Sequence, residues 1–249
     1  MQEKKHLIYG LVGRNIDYSF SRQYFNDKFT SENIPAEYVN FDIDDIALLP
    51  QIISQNQNLQ GLNITIPYKK EIIPYLNSIS ETASEIGAVN TVSISPGGLL
   101  SGHNTDWIGF LQSIKPMLRQ HHTKALILGT GGASKAVAYA LQQLHIDYRY
   151  VSRSANNSSL SYDDLQHVMA EYSVIINCTP LGTAPQTDAA PDIPYQLLTS
   201  NHLVYDLIYN PEVTTFLRKA SAHGAEIKNG YEMLVLQAEH AWKIWQQKQ

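Results

Sequence analysis

The sequence predicts an α/β protein of two domains, and three observations carry that expectation. Strand-like runs alternate with helical stretches along all 249 residues, a length that suits one large domain or two smaller ones. In the second half, the runs Ala125–Leu128, Tyr148–Val151, Ser173–Ile176 and Leu203–Tyr205 recur every 23 to 30 residues, the interval of a βαβ unit. The first half has a looser rhythm, and a helix followed by the polar stretch Gln120-His-His-Thr-Lys124 separates the two. The domain boundary is therefore expected within residues 105–123.

The elements follow in order. Leu7–Val12, Glu37–Phe41, Gly61–Ile66, Val89–Ile94 and Leu99–Gly102 read as strands. Phe20, Tyr24, Phe25 and Phe29 form an apolar stripe at helical spacing. Asp44 and Asp45 precede a second helix whose inner side carries Ile46, Leu49, Ile52 and Ile53. The turn signal Pro96-Gly97-Gly98 makes the last two strands a hairpin. A helix is expected from Asp106 to about Arg119. The final helix, about Gly230 to Gln246, carries Leu234, Ala238, Ala241 and Trp245 at helical spacing.

Composition narrows the function. With 43% hydrophobic and 16% charged residues the chain is an ordinary globular protein, and its net charge of −5 leaves no basic footprint for nucleic acid. No apolar run approaches about 18 residues, so no membrane span is expected, and the N-terminus lacks a signal-peptide pattern. Cys178 is the one cysteine, which excludes internal disulfides and cysteine-rich metal sites, and the nine histidines show no ligand spacing. The expectation is a cytoplasmic, metal-free protein with a small-molecule substrate, as a monomer or homodimer.

Ala125-Leu-Ile-Leu-Gly129-Thr-Gly131-Gly132-Ala133-Ser134 is a strand, a glycine-rich turn and the start of a helix. In that context the glycines permit a tight turn, and the free N–H groups of the helix start attract a pyrophosphate. This predicts a Rossmann-like dinucleotide-binding domain. The next strand ends in Ser152-Arg153-Ser154 rather than in a carboxylate. A guanidinium binds a 2′-phosphate that a carboxylate would repel, so Arg153 argues for NADP over NAD. A solvated surface arginine is the plainer alternative, and Asn156 and Asn157 add no second cation.

In the first half, Asn63-Ile-Thr65-Ile-Pro67-Tyr-Lys69 ends a strand with a lysine. A charge is costly to desolvate at such a place, and a lysine held there can serve as an acid/base group. An ordinary lysine is protonated at neutral pH and so suits proton donation. Ser19 and Ser21 fall at a helix start, where hydroxyls and free N–H groups can hold a carboxylate, or where one serine is only an N-cap. Asp106 could likewise be only an N-cap. Gln237 lies within the apolar stripe of the last helix, where its amide needs a partner, either a polyhydroxylated ligand or nearby backbone. Cys178 reads as small packing, because no histidine–aspartate pair is placed to activate it.

The set Ser19-x-Ser21, Asn63-x-Thr65-x-Pro67-x-Lys69, Gly87-Ala-Val-Asn90-Thr91, Asn104-Thr105-Asp106-x-x-Gly109, Gly129-x-Gly131-Gly132-Ala-Ser134, Asn177-x-Thr179 and Gly230-x-x-Met233-Leu234-x-x-Gln237 resembles shikimate dehydrogenase in order and spacing. The resemblance implies reversible, NADPH-dependent reduction of 3-dehydroshikimate to shikimate, with Lys69 and Asp106 as the catalytic pair. It implies that Ser19 and Ser21 bind the substrate carboxylate, and that Thr65, Asn90, Tyr209 and Gln237 meet the rest of the substrate. For NADP(H) it implies Gly129, Gly131, Gly132, Ala133, Ser152, Arg153 and Thr179, with Leu207 and Gly230 near the nicotinamide. Residues 1–105, joined by the last helix (about 230–249), would form the substrate domain, and 106–229 the NADP domain.

The chain departs from the family pattern at Asn15, Tyr18 and Arg22, where Pro, His and Pro are common, and at Ser152 and Thr183. Rival readings are an NAD-preferring quinate/shikimate dehydrogenase and a non-catalytic regulatory homologue that kept the pocket. A folate-type dehydrogenase lacks support from the paired serines and Gln237.

Overall fold

The computed structural model describes residues 6–17, 19–154 and 159–247, so Tyr18, Asn156 and Asn157 lie outside the described residues. The chain divides into two compact units, Met1–Thr105 with Ala238–Gln249, and Asp106–Gln237. No helix among the described residues is long and apolar enough to cross a membrane.

The first unit holds β1 (Leu7–Gly13), α1 (Phe20–Ser31), β2 (Ala36–Asp42), α2 (Leu49–Gln55), β3 (Leu59–Ile64), β4 (Ser78–Ile79), α3 (Glu81–Ile86), β5 (Thr91–Ile94) and β6 (Leu100–His103). Its sheet runs β2-β1-β3-β5-β6-β4. β1 is parallel to both β2 and β3, whereas β3–β5 and β5–β6 are antiparallel, the latter being the expected hairpin. On α1, Ser21, Phe25 and Phe29 are buried at i, i+4 and i+8, the inward stripe of an amphipathic helix. Phe25 stacks on Tyr38 with ring centroids 4.8 Å apart, and Tyr9 and Trp245 complete an aromatic core. A second core, on Val12, Leu62, Ile64, Tyr68 and Ile72, lies beneath the segment that carries Lys69.

The second unit holds α4 (Asp106–Ile114), β7 (Lys124–Leu128), α5 (Gly132–Gln143), β8 (Asp147–Val151), β9 (Ser159–Leu160), α6 (Leu165–Val168), β10 (Val174–Asn177), β11 (Leu203–Asp206), α7 (Thr215–Ala222) and β12 (Glu226–Lys228). α8 (Tyr231–Gln246) starts in this unit and ends in the first. All pairings in the second sheet are parallel, and its order is β12-β11-β10-β7-β8-β9. Counted from β7, that is the 3-2-1-4-5-6 order of dinucleotide-binding sheets, with the strand order reversing between β7 and β10. Such a sheet is covered on both faces, and Ala125, Leu126, Ile127, Leu128, Val174, Ile175 and Ile176 are all buried accordingly.

Several expected boundaries move, each for a physical reason. The helix from Asp106 stops at Ile114 and passes into a 3₁₀ turn over Lys115–Met117, because Pro116 disfavours α geometry in the residue before it. The second helix begins as a 3₁₀ turn, Ile46–Leu48, whose Ala47 N–H is accepted by the Asp45 side chain. β3 ends at Ile64, and Thr65 and Ile66 leave the strand ahead of Pro67. β5 starts at Thr91 rather than Val89, whose N–H goes instead to the Lys69 carbonyl. Between β10 and β11 no α-helix forms among the described residues. That crossover carries Pro180, Pro185, Pro191 and Pro194, and its one helical turn is the 3₁₀ segment Tyr195–Leu197.

Candidate functional site

The turn after β7 is built to admit an anion. Gly129 sits at φ +98°, a conformation that L side chains rarely adopt, and a Cβ there would stand 3.1 Å from Thr179 Cγ2. At Gly131 and Gly132 a Cβ would meet nothing within 4 Å, so the backbone that opens α5 faces free space. The N–H groups of that first turn have no helical partner, and no acidic side chain lies among them. Ser134, in place of the third fingerprint glycine, is buried and donates its hydroxyl to the Gly131 carbonyl at 2.7 Å, closing the turn from inside.

This turn opens onto a cleft of about 590 Å³ within the second unit. Gly129, Thr130 and Gly131 line it from β7, Ser152 and Arg153 from the end of β8, and Cys178, Thr179, Pro180 and Leu181 from the end of β10. Tyr162, Ala190 and Asp192 complete the wall. The Ser152 N–H is tied to the Leu160 carbonyl at 2.9 Å and its hydroxyl accepts from the Ser154 N–H, so the short loop that carries Arg153 is braced on both sides. Arg153 itself is exposed. Burial pushes the Tyr162 phenol up, while the Arg153 charge pulls the other way. Burial first and the Asp206 charge second push the Cys178 thiol up, which makes it a poor nucleophile.

From Thr179 in the cleft wall a polar chain runs back to Asn177, Asp206 and Thr214, all fully buried. Asn177 Nδ2 donates to Asp206 Oδ1 at 3.0 Å, and Asn177 Oδ1 accepts from the Thr179 N–H at 2.9 Å and from its hydroxyl at 2.6 Å. Asp206 also accepts from the Ile208 N–H at 3.1 Å and from Thr214 Oγ1 at 2.6 Å. Burial pushes the Asp206 carboxyl up to about 6, against the pull of these three donors. Just beyond, the Gly230 N–H donates to the Ile208 carbonyl at 3.1 Å, and any side chain at Gly230 would overlap the Leu207 backbone.

In the first unit, Lys69 is half-buried on a segment pinned by its neighbours. Its carbonyl accepts from the Val89 N–H at 2.7 Å, and buried Tyr68 donates its hydroxyl to the Ile43 carbonyl at 2.6 Å. The Thr65 N–H is held by the Val12 carbonyl at 2.9 Å. Ser19 occupies the N-cap position of α1, yet its side chain makes no capping bond. It borders an open depression of about 450 Å³ together with Arg22, while Ser21, two residues on, is buried. Asn90 belongs to a buried network: it donates to Thr105 Oγ1 at 3.0 Å and accepts the Thr105 N–H at 2.7 Å. Asn63 extends that network, accepting from the Tyr38 hydroxyl at 2.8 Å and donating to Thr91 Oγ1 at 3.3 Å.

In the second unit, Asp106 is buried as the first residue of α4. Gln237 is buried too, and its amide donates to the Leu234 carbonyl at 2.9 Å, so the backbone-bonded alternative accounts for one of its hydrogens. Tyr209 is half-buried just past β11. Among the described residues, no group of three or more His, Cys, Asp or Glu side chains is disposed to hold a metal ion.

Residues 11–92 match the model of the shikimate dehydrogenase substrate binding domain. A shikimate dehydrogenase (NADP(+)) of Clostridium botulinum is 37% identical over 248 residues, 95% of each chain. The chain belongs to the shikimate dehydrogenase family. Among solved structures, shikimate 5-dehydrogenase from Thermus thermophilus, in complex with NADP(H) and shikimate, superposes with a TM-score of 0.86 at 29% identity, covering 96% of this chain and 93% of that one. Quinate dehydrogenase from Corynebacterium glutamicum, in complex with NAD, superposes with a TM-score of 0.87 at 26% identity over the same 96% and 93%.

Within this family fold, sequence reasoning missed Tyr162 and Asp192 as cleft residues and the buried trio Asn177, Asp206 and Thr214 as its support. Tyr162 and Asp192 arrive on irregular connections, and no local pattern points them at the cleft. Asn177 and Asp206 did leave a signal, a polar residue ending each of two consecutive apolar strands.

Proposed function

We propose that the chain is an NADP-dependent shikimate dehydrogenase that reversibly reduces 3-dehydroshikimate to shikimate, the first unit binding the substrate and the second the dinucleotide. The observation that carries the cofactor assignment is the cleft in the second unit, where the open backbone at Gly131 and the guanidinium of Arg153 line one cavity, with the uncrowded backbone of Gly132 next in the chain. These residues fit a dinucleotide phosphate: uncovered N–H groups for the pyrophosphate, and a cation where an NAD site would place a carboxylate. Ala133, Ser152 and Thr179 extend that site, with Leu207 and Gly230 toward the nicotinamide. NADP, when bound and reduced, supplies the hydride.

The protein's own groups then manage the proton and the geometry. Lys69 donates a proton to the oxygen that gains charge as the ketone is reduced, and Asp106, the second catalytic residue, holds a substrate hydroxyl. Ser19 and Ser21 hold the substrate carboxylate; the lack of a capping bond at Ser19 leaves its hydroxyl for that task. Thr65, Asn90, Tyr209 and Gln237 frame the ring. The protein acts in the cytoplasm as a monomer or homodimer.

The test is reduced-nicotinamide absorbance with shikimate or quinate, each against NADP or NAD. Shikimate with NADP is expected to show the highest kcat/KM. The likeness to a quinate dehydrogenase with NAD supports a second reading, which a higher kcat/KM for quinate and NAD would establish. No turnover with any of the four pairs would leave only a pocket-retaining homologue.

A further inference from the structure

Resting on the reading of the second-unit cleft as the NADP site, we propose that Asp206 is a positioning residue for it. It acts through the Asn177 amide on the Thr179 turn, and through the Ile208 N–H on the segment Leu207–Tyr209.

Asp206 does not line the cleft; it lies fully buried behind the wall, with Asn177 and Thr214. An ionised carboxylate accepts hydrogen bonds and donates none, and this asymmetry is what orients its neighbours. Only the NH₂ end of the Asn177 amide can face Asp206, which leaves the carbonyl end for Thr179. That oxygen takes both the Thr179 N–H and the Thr179 hydroxyl proton. One lone pair of the hydroxyl then meets the Leu181 N–H at 3.3 Å. With its proton committed inward, Thr179 presents an acceptor to the cleft, suited to a ribose hydroxyl and unsuited to a phosphate oxygen.

The same carboxylate oxygen accepts the Ile208 N–H, fixing the chain where it leaves β11. The Ile208 carbonyl in turn holds the Gly230 N–H against the Leu207 backbone. One buried carboxylate thus ties together the ends of β10 and β11. A blander role exists for its other oxygen. Oδ2 receives Thr214, the N-cap residue of α7, whose own oxygen accepts the Leu217 N–H. If Asp206 served only that cap, its Oδ1 contacts would be incidental to the cleft.

Equilibrium titration of the protein with NADPH separates the two roles. Asn177→Ala and Asp206→Ala are expected to weaken NADPH binding roughly tenfold or more, the scale of losing a hydrogen bond to a charged group. Combined, they are expected to do no worse than Asp206→Ala alone, because they break one chain. Asp206→Asn keeps an acceptor at Oδ1 and is expected to bind within about threefold of the parent. Thr214→Val, which cuts only the helix-cap branch, is expected to do the same, and shikimate KM is expected to stay within about twofold in Asn177→Ala, which leaves the Ile208 branch intact. Should Asp206→Ala not fold, Asn177→Ala, Asp206→Asn and Thr214→Val still decide the matter. Parent-like NADPH binding by Asn177→Ala, an equal loss in Thr214→Val, a loss in Asp206→Asn as large as that in Asn177→Ala, or multiplying effects of Asn177→Ala and Asp206→Ala would each overturn the proposal. A parent protein that does not bind NADPH would overturn the cofactor assignment as well, whereas a parent that binds beside an unimpaired Asn177→Ala overturns the positioning role alone.

Discussion

Trp245 donates its indole N–H to the Val92 carbonyl at 2.9 Å, joining residues 153 positions apart. The contact depends on Gly61, where any Cβ would overlap the indole ring, so the last helix is keyed into the first unit by one glycine and one hydrogen bond. Trp245→Ala removes a buried ring from the aromatic core and leaves the carbonyl without that donor. The expected cost is about 3–5 kcal/mol, and Gly61→Ala, which forces the ring aside, is expected to cost about 1–3 kcal/mol. Urea unfolding checks both, as a lowered midpoint with an unchanged slope.

Asp206 predicts a pH dependence of stability with a definite sign. Its carboxyl titrates near 3.8 unfolded and is raised to about 6 in the folded protein. Between those values the folded state holds a proton that the unfolded state has lost, so stability falls as pH rises through the window, and the deficit is complete above the folded value. Between about pH 4.5 and about pH 7.5 the change attributable to this group is about 2 kcal/mol. Asp206→Asn abolishes it. The stability of Asp206→Asn relative to the parent is therefore expected to improve by that amount over the window, measured by urea melts at both ends. A constant difference would mean that the group does not titrate there.

The Asp206 network also marks how far the sequence could be read. The α1 stripe, the β5–β6 hairpin and the glycine turn after β7 are local patterns, and a periodicity or a turn signal exposes each one. In the sequence Asp206 is only a polar residue ending an apolar run, because its environment is assembled from Asn177 on the adjacent strand and Thr214 at the next helix start. Parallel pairing of β10 with β11 brings Asn177 to Asp206 across a sequence separation of 29 residues, which no local window sees. The crossover between β10 and β11 failed for a different reason. Its length suits a βαβ unit, but four prolines remove the backbone donors a helix needs. The same irregular stretch carries Asp192 into the cleft. The N-cap alternative for Ser19 could be settled only by geometry, since a capping serine and a non-capping one look alike in sequence.

Lys69 supplies a sharper test of the chemistry. Its segment is held by backbone bonds to Val89 and by buried Tyr68, neither of which involves the ammonium group. Lys69→Ala is therefore expected to fold with a Tm close to the parent's and to bind NADPH normally. Its kcat for shikimate oxidation is expected to fall by about 10²–10⁴, the usual weight of a general acid or base. Near-parental turnover would remove Lys69 from the proton-transfer role.

Two opposed charges, Arg153 and Asp192, line one cleft, and under the proposed NADP assignment they set cofactor choice. A guanidinium on the 2′-phosphate forms charge-assisted hydrogen bonds, each worth about 1.5–3 kcal/mol; the exposed position of Arg153 argues for the lower end. Arg153→Ala is expected to lower kcat/KM for NADP by about tenfold while leaving that for NAD nearly unchanged. Asp192 acts in the opposite sense, since its carboxylate repels a phosphate dianion and is indifferent to a ribose hydroxyl. Asp192→Asn is expected to raise the NADP to NAD ratio by a few-fold, more so at low ionic strength, where an exposed charge is least screened. Paired kcat/KM measurements at two salt concentrations check both. A ratio unmoved by Arg153→Ala would place the 2′-phosphate elsewhere in the cleft.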